Sequence, residues 1–271
     1  MPFTISAAGK IKDTFVETDK GKLFVRIWGD ADNLETRAPI ILLHDSLGSV
    51  ELWRDFPAAL SAATKRTVIA YDRLGFGNSD PRSDYLDLDF ISKETVEGIA
   101  ALRQHLQLSQ IILFGHSVGG GMAVSAAAAM PDRVVAVITE SAQAFVEDRT
   151  VEGIKDAQLA FEIPEQVERL AKYHGTKARW VLDAWVKSWL SPEFASWTLE
   201  PAITAVRCPV FAIHGDFDEY GSLIHPEKIS SSPLCQGEME IFHECGHLPH
   251  RERPEAVLRV VSSFLERRLG A

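Results

Sequence analysis

Five short runs of strand-forming residues, Ile40–Leu43, Thr67–Tyr71, Ile111–Phe114, Val134–Thr139 and Val210–Ile213, recur along the chain with segments of helical length between them. Apolar runs without polar alternation suit strands covered on both faces, the environment of a parallel sheet packed between helices. The helical segments are Val50–Ala63, Asp89–Leu106 and Ser117–Met130, the last stopped by Pro131. Met239–Phe242 predicts a final strand and Pro254–Leu269 a final helix, with Pro254 suited to its first turn. Thr14–Glu17 and Leu23–Trp28 flank Asp19-Lys20-Gly21 and predict an opening hairpin. Strand alternating with helix predicts an α/β fold built on a mostly parallel, doubly wound sheet.

The alternation stops from about Phe145 to Ala205, where two or three helical stretches follow one another without a convincing strand. This segment holds Trp180, Trp185, Trp189 and Trp197, four of the six tryptophans, and Trp185 and Trp189 share a helix face at a spacing of four. Residues 145–205 therefore read as a helical insertion into a core made of 1–144 and 206–271. The two tryptophans either line a pocket or pack as core, and packing is the commoner role. Neither a repeat nor a Gly, Ser or Pro-rich linker divides the chain.

Composition removes several classes of partner. Lys and Arg total 28 against 38 Asp and Glu, a formal charge of −10, so neither nucleic acid nor an anionic membrane is expected to bind. Cys208, Cys235 and Cys245 are odd in number and lack paired spacing, which argues against a disulfide framework and fits a reducing compartment. Met1–Lys12 carries no basic flank followed by an apolar run, so a signal peptide is not expected, and the chain reads as cytoplasmic.

The chemistry is concentrated at Gly115-His116-Ser117-Val118-Gly119-Gly120-Gly121, directly after one apolar run and before an alanine-rich helix. This is G-x-S-x-G in its strand-turn-helix setting, where the serine hydroxyl projects beyond the strand end and a helix N-terminus offers free amides to an oxyanion. Small neighbours let strand and helix approach. A serine needs a base, and the base an orienting acid. The order Ser, acid, His expected for such a sheet points to His214-Gly215-Asp216-Phe217-Asp218-Glu219 and His243-Glu244-Cys245-Gly246-His247, both at strand ends. Asp218 is favoured over Asp216 and Glu219, and His247 over His243.

The remaining histidines receive quieter readings. His105 and His174 lie in polar helical stretches and are expected in solvent; His214, His225 and His250 are expected in loops near the site, making structural hydrogen bonds. His116, beside the serine, reads as a pocket or supporting residue. H-E-x-x-H at His243 to His247 is a zinc signature only on a helix; Gly246, Pro249 and the preceding strand make that context wrong, so no metal is expected.

The serine turn, the segment Tyr71-Asp72-Arg73-Leu74-Gly75-Phe76-Gly77-Asn78-Ser79-Asp80, and Cys245-Gly246-His247 with Arg253-Pro254-Glu255 together resemble the α/β-hydrolase superfamily over nearly the whole chain. The resemblance implies a helical cap at 145–205, a catalytic set of Ser117, Asp218 and His247, and an oxyanion hole from the amides of Ser46 and Val118. In that superfamily the loop after the third strand usually reads His-Gly-x. Here it reads His44-Asp45-Ser46, and Asp45 is expected as a turn carboxylate bonded to nearby amides. A serine at position 117 places the chain with the serine branch rather than with relatives that use aspartate. The expected activity is hydrolysis of a small carboxylic ester, lactone or related acyl compound without a cofactor, with His116, Trp185 and Trp189 against the substrate. A ligand-binding receptor on the same fold, or a cofactor-free carbon-carbon hydrolase or perhydrolase, is the alternative. The small acyl substrate is the expected partner, and a homodimer stays open.

Overall fold

A computed structural model of the chain describes residues 10–30 and 37–270, so most of Met1–Lys12, on which the signal-peptide expectation rests, lies outside the described residues. Among them, β1 (Ile11–Thr18), β2 (Gly21–Trp28), β3 (Ile40–Leu43), β4 (Val68–Tyr71), β5 (Ile111–His116), β6 (Val134–Glu140), β7 (Val210–Gly215) and β8 (Gly237–Phe242) form one sheet. Its order is β1-β2-β4-β3-β5-β6-β7-β8. β1 pairs with β2 and β2 with β4 in antiparallel fashion, and every other pairing is parallel.

The uninterrupted apolar runs are explained by two cores, one on each face. In β3, Ile41 and Leu43 join Ile69, Tyr71, Ile111 and Leu113 on one side. Ile40 and Leu42 join Val68, Ala70, Ile112 and Phe114 on the other. That is the two-residue period of a strand, with both phases buried. The helices are α1 (Phe56–Thr64), α2 (Phe90–Glu94), α3 (Ala100–His105), α4 (Val118–Ala129), α5 (Asp148–Ala160), α6 (Pro164–His174), α7 (Ala178–Trp189), α8 (Glu200–Ala205), α9 (Ile224–Ser230), α10 (Pro249–Glu252) and α11 (Pro254–Leu269). α1 and α11 cover one face through Phe56, Leu60, Val257, Val261 and Phe264. α4 backs the other through Val118, Met122, Ala123 and Ala126. No helix among the described residues is long and apolar enough to cross a membrane.

Two expected helices are interrupted. Val50–Ala63 divides into a short turn, Val50–Trp53, and α1, with Arg54 at φ 51° between them. The Asp72 carboxylate takes the Val50 amide at 2.6 Å, and Pro57, lacking an amide hydrogen, fits only a helix start. Asp89–Leu106 becomes α2 and α3 joined by a π-helical stretch, Thr95–Ile99. Gly98 there lies against the core, where a Cβ would come within 2.7 Å of the Tyr71 hydroxyl.

Between β6 and β7 the chain runs through α5 to α8. The base of this excursion is fastened by an antiparallel bridge of Phe145 with Thr198 and by the Leu199 amide donating to the Ala144 carbonyl at 2.7 Å. Trp180 packs edge-on against Phe76 at 5.6 Å, so the excursion rests on the turn after β4. A Cβ at Gly75 would stand 2.4 Å from the Trp180 ring.

Candidate active site

β5 ends at His116, the chain turns at Ser117, and α4 begins at Val118. Ser117 has φ 54° and ψ −124°, a conformation that costs a non-glycine residue about 1–3 kcal/mol and persists only where its surroundings impose it. Missing side chains make room for it. A Cβ on Gly115 would fall 2.1 Å from the Gly119 carbonyl oxygen, and one on Gly119 would fall 2.2 Å from the Leu43 carbonyl oxygen. Ser117 opens onto a cavity of about 230 Å³ whose lining includes Ser46, His116, Trp185, Trp189 and His247. A larger cavity of about 590 Å³, between the β1–β2 turn and the α2–α3 segment, includes neither Ser117 nor His247.

His247 follows β8 and Asp218 follows β7. The His247 Nδ1 lies 2.9 and 2.8 Å from the two carboxylate oxygens of Asp218. Their loops pack together at Gly215, where a Cβ would meet the Cys245 carbonyl at 2.2 Å. Burial favours the neutral acid at Asp218; His247, His214 and the Tyr220 amide outweigh it and bring the carboxyl below its ordinary range. An ionised Asp218 holds the proton on Nδ1 and leaves Nε2 of His247 as the ring's acceptor. Asp216 instead bonds the exposed His243 at 2.9 Å, and Glu219 is an exposed residue of the cavity rim. His243 to His247 forms a turn with Glu244 at φ 51°, and its two imidazoles have separate carboxylate partners.

The loop after β3 closes around Asp45. Its Oδ1 accepts the Leu47 amide at 2.8 Å, and its carbonyl accepts the Gly48 amide at 3.2 Å. Arg73 Nη2 donates to the same carbonyl at 2.7 Å, and His44 Nδ1 lies 2.8 Å from it. Among the described residues the Ser46 amide has no partner. Val118 opens α4, so its amide has no carbonyl within the helix. Each turn thus offers an uncommitted amide.

His174 departs from its expected place in solvent: it is 2% exposed. Its Nδ1 accepts the Gly77 amide at 2.9 Å, and its Nε2 donates to the Leu47 carbonyl at 3.0 Å. Such a ring is neutral, in agreement with burial moving its pKa below the ordinary value. The polar composition of α6 hides this role, because only Leu170 and His174, one helical turn apart, are buried on that helix. His214, His225 and His250 sit in β7, α9 and α10 rather than in loops, and bond the Gly221 carbonyl, Glu147 and Glu140 respectively. Of the tryptophans, Trp185 meets Tyr220 at 5.9 Å, and the Tyr220 ring lies 4.8 Å from that of His247. Trp189 is 4% exposed and packs with Phe194 and Trp197.

Two pairings had no counterpart in the sequence reading. His116 Nδ1 lies 3.2 Å from Asp45 Oδ2, while its Nε2 lies 2.8 Å from the His247 carbonyl. Glu140, at the end of β6, bonds His250. The partners are 71 and 110 residues apart, beyond the reach of any spacing rule.

Comparison with known proteins agrees with this architecture. The model for the alpha/beta hydrolase fold matches residues 38–176. The chain belongs to the α/β-hydrolase family. It is 38% identical over 112 residues, 40% of this chain and 31% of that protein, to a 1-acylglycerol-3-phosphate O-acyltransferase of Mus musculus. It is 31% identical over 115 residues, 42% of this chain and 38% of that protein, to the proline iminopeptidase of Lactobacillus delbrueckii subsp. lactis. The α/β hydrolase thus spans about a third of the length of these relatives. Among solved structures, a 2-hydroxy-6-oxo-6-phenylhexa-2,4-dienoate hydrolase from a Rhodococcus species superposes with a TM-score of 0.78 at 16% identity, covering 94% of this chain and 98% of that one.

Proposed function

We propose that this α/β hydrolase is a serine hydrolase of small, uncharged acyl compounds such as esters or lactones. The observation that carries the proposal is the strained Ser117 turn opening onto the same cavity as His247, whose Nδ1 is held by Asp218. Ser117 Oγ attacks the acyl carbon and passes its proton to His247 Nε2, while Asp218 stabilises the imidazolium. The amides of Ser46 and Val118 receive the oxyanion, where loss of one donor costs about 3 kcal/mol. His247 then protonates the departing oxygen, which leaves the acyl group on Ser117. Water next yields a proton to His247 and its oxygen to the acyl carbon; the bond from that carbon to Ser117 Oγ then breaks as His247 returns the proton to Oγ, and the carboxylic acid departs.

Residues 145–205 act as the cap over a core of 1–144 and 206–271, with α5 and α7 supplying Thr150, Ile154, Trp185 and Trp189 to the cavity. Its volume, about 230 Å³, is below the roughly 300–1,000 Å³ of sites for drug-sized ligands, which favours a compact substrate. In the lining Asp45 is paired with His116, Glu219 adds an exposed carboxylate, and neither lysine nor arginine is present. This favours a neutral substrate over a phosphate-bearing one of the kind named for the mouse acyltransferase.

A fluorophosphonate probe with peptide mapping, run beside a panel of short p-nitrophenyl esters and lactones, tests the reading. Labelling at Ser117 is expected, with turnover falling by about 10⁴-fold or more in Ser117→Ala. Unchanged turnover in Ser117→Ala would overturn the mechanism.

A further inference from the structure

His116 is 1% exposed and stands between the two loops that carry the proposed chemistry. Both of its ring nitrogens face oxygens that have no proton to give. Nε2 meets the His247 backbone carbonyl at 2.8 Å, and Nδ1 meets Asp45 Oδ2 at 3.2 Å. The other Asp45 oxygen already accepts the Leu47 amide. A neutral imidazole has one donor and one acceptor, so it would set a lone pair against one of these oxygens; the doubly protonated ring satisfies both.

The surroundings favour that cation. Glu140, from the end of β6, has one oxygen bonded to His250 and the other, Oε2, buried without a partner. The rings of His247 and His250 lie 5.0 and 5.2 Å from that of His116, and Trp53 presents an edge at 6.3 Å. Arg251 lines the same small gap as Asp45 and His116, and Arg73 bonds the Asp45 carbonyl; these are the opposing positive charges. Two carboxylates, Asp45 and Glu140, thus flank one imidazole. Burial works against a charge here, yet the hydrogen bond and charge of Asp45, joined by Glu140, lift His116 above its ordinary pKa. Asp45 is in turn held far below the usual carboxylate range, against its burial, by the hydrogen bond and charge of His116 and by the Leu47 amide. One atom each of His116, Glu140 and His250 come within 4.8 Å of one another. Both nitrogens of His116 and Nδ1 of His250 are already engaged in hydrogen bonds, which leaves the unpartnered Glu140 Oε2 as a buried negative charge beside His116.

We propose that Asp45 and a protonated His116 form an internal tie that holds the Ser46 amide and His247 at their working separation, so that activity declines at alkaline pH when His116 loses its proton. The tie rests on the reading of Ser117, Ser46 and His247 as the reacting groups. Asp45 and His116 are positioning residues: each acts through the backbone of a neighbour, Asp45 through the turn bearing Ser46 and His116 through the His247 carbonyl. The aspartate that replaces the usual glycine after His44 therefore has a function in this chain.

Asp45→Asn gives the discriminating test, because an asparagine can keep the geometry without the charge. Its carbonyl oxygen still accepts the Leu47 amide, its NH₂ donates to a neutral His116 Nδ1, and Nε2–H still reaches the His247 carbonyl. The ratio of kcat/KM for Asp45→Asn to that of the unchanged protein is expected to rise about tenfold between pH 6 and pH 9.5 as the alkaline limb disappears. His116→Phe, which makes neither bond, is expected to lose about 100-fold in kcat with little change in KM across the pH range. Long-range ¹H–¹⁵N spectra of the histidine side chains, assigned by the signals missing from His116→Phe, should show both His116 nitrogens protonated at pH 7.5 and one of them unprotonated in Asp45→Asn. A neutral His116 ring at pH 7.5 in the unchanged protein, or identical pH profiles for Asp45→Asn and the unchanged protein, would overturn the tie. Should Ser117 resist labelling and all esters survive, the hydrolase reading fails and the positioning role fails with it, while the spectra still decide the charge state of the pair.

Discussion

His116 and His174 grip the same turn, Asp45 to Leu47, through different groups. His116 reaches it from the end of β5, through the Asp45 carboxylate, and His174 from the end of α6, through the Leu47 carbonyl. Both rings are nearly inaccessible. They differ in what their second nitrogen meets: a carbonyl oxygen for His116, a Gly77 amide for His174. An acceptor on both sides calls for the cation, and a donor on one side calls for the neutral ring. Burial alone therefore does not set the charge of a histidine; the partners around it do. The comparison also separates two couplings, since one histidine joins the turn to the core and the other joins it to the inserted helices.

Substitutions that remove each grip should cost different amounts. His116→Ala leaves the Asp45 carboxylate beside an empty space in place of a cation, and is expected to lower unfolding stability by about 3 kcal/mol in urea denaturation at pH 7. His174→Ala leaves a neutral amide and a carbonyl unpaired, an expected loss of about 1–3 kcal/mol by the same measurement. A larger loss for His174→Ala than for His116→Ala would invert the comparison.

The two rings should also respond oppositely to pH. For His174 the folded pKa is depressed below the ordinary 6.5, so between these values the unfolded chain binds more protons, and stability falls as pH drops below about 6.5. For His116 the folded pKa is raised, so its contribution is complete below about 6.5 and is lost as pH rises through the folded value. Urea midpoints taken in pH steps should show a shallower decline below pH 6.5 in His174→Asn than in the unchanged protein, and a shallower alkaline decline in Asp45→Asn. The smallest effect is expected at the exposed pair of His243 with Asp216, where Asp216→Asn should leave melting temperature and ester turnover within error. A measurable loss there would mean that an imidazole–carboxylate pair matters on the surface of this fold as well as inside it.

Much of the fold was readable from residue patterns. The five apolar runs became buried strands because a strand with a core on each face has no place for polar alternation. Three of the runs were read short at their C-terminal ends: β5 continues to His116, β6 to Glu140 and β7 to Gly215. Those extra residues are polar or glycine, since strand ends there form the site rather than the core. The helix expected over Val50–Ala63 failed at Pro57, which lacks an amide hydrogen and crowds the carbonyl four residues back, so α1 starts only there, a signal the sequence itself carries; that the Val50 amide then finds the Asp72 carboxylate, 22 residues away, only folding decides. Asp218 and Asp216 illustrate the same division. They lie two residues apart in one loop, and one meets a half-buried histidine while the other meets an exposed one.

What the order of residues established is what neighbours in the chain can enforce: strand against helix, a serine between Gly115 and Gly119 at a turn too tight for side chains, and acid and histidine loops at successive strand ends. Protonation and partnership were settled by folding. Asp45 is 71 residues from His116, and Gly77 is 97 from His174; the charge each ring carries depends on which donor or acceptor the folded chain brings against its nitrogens.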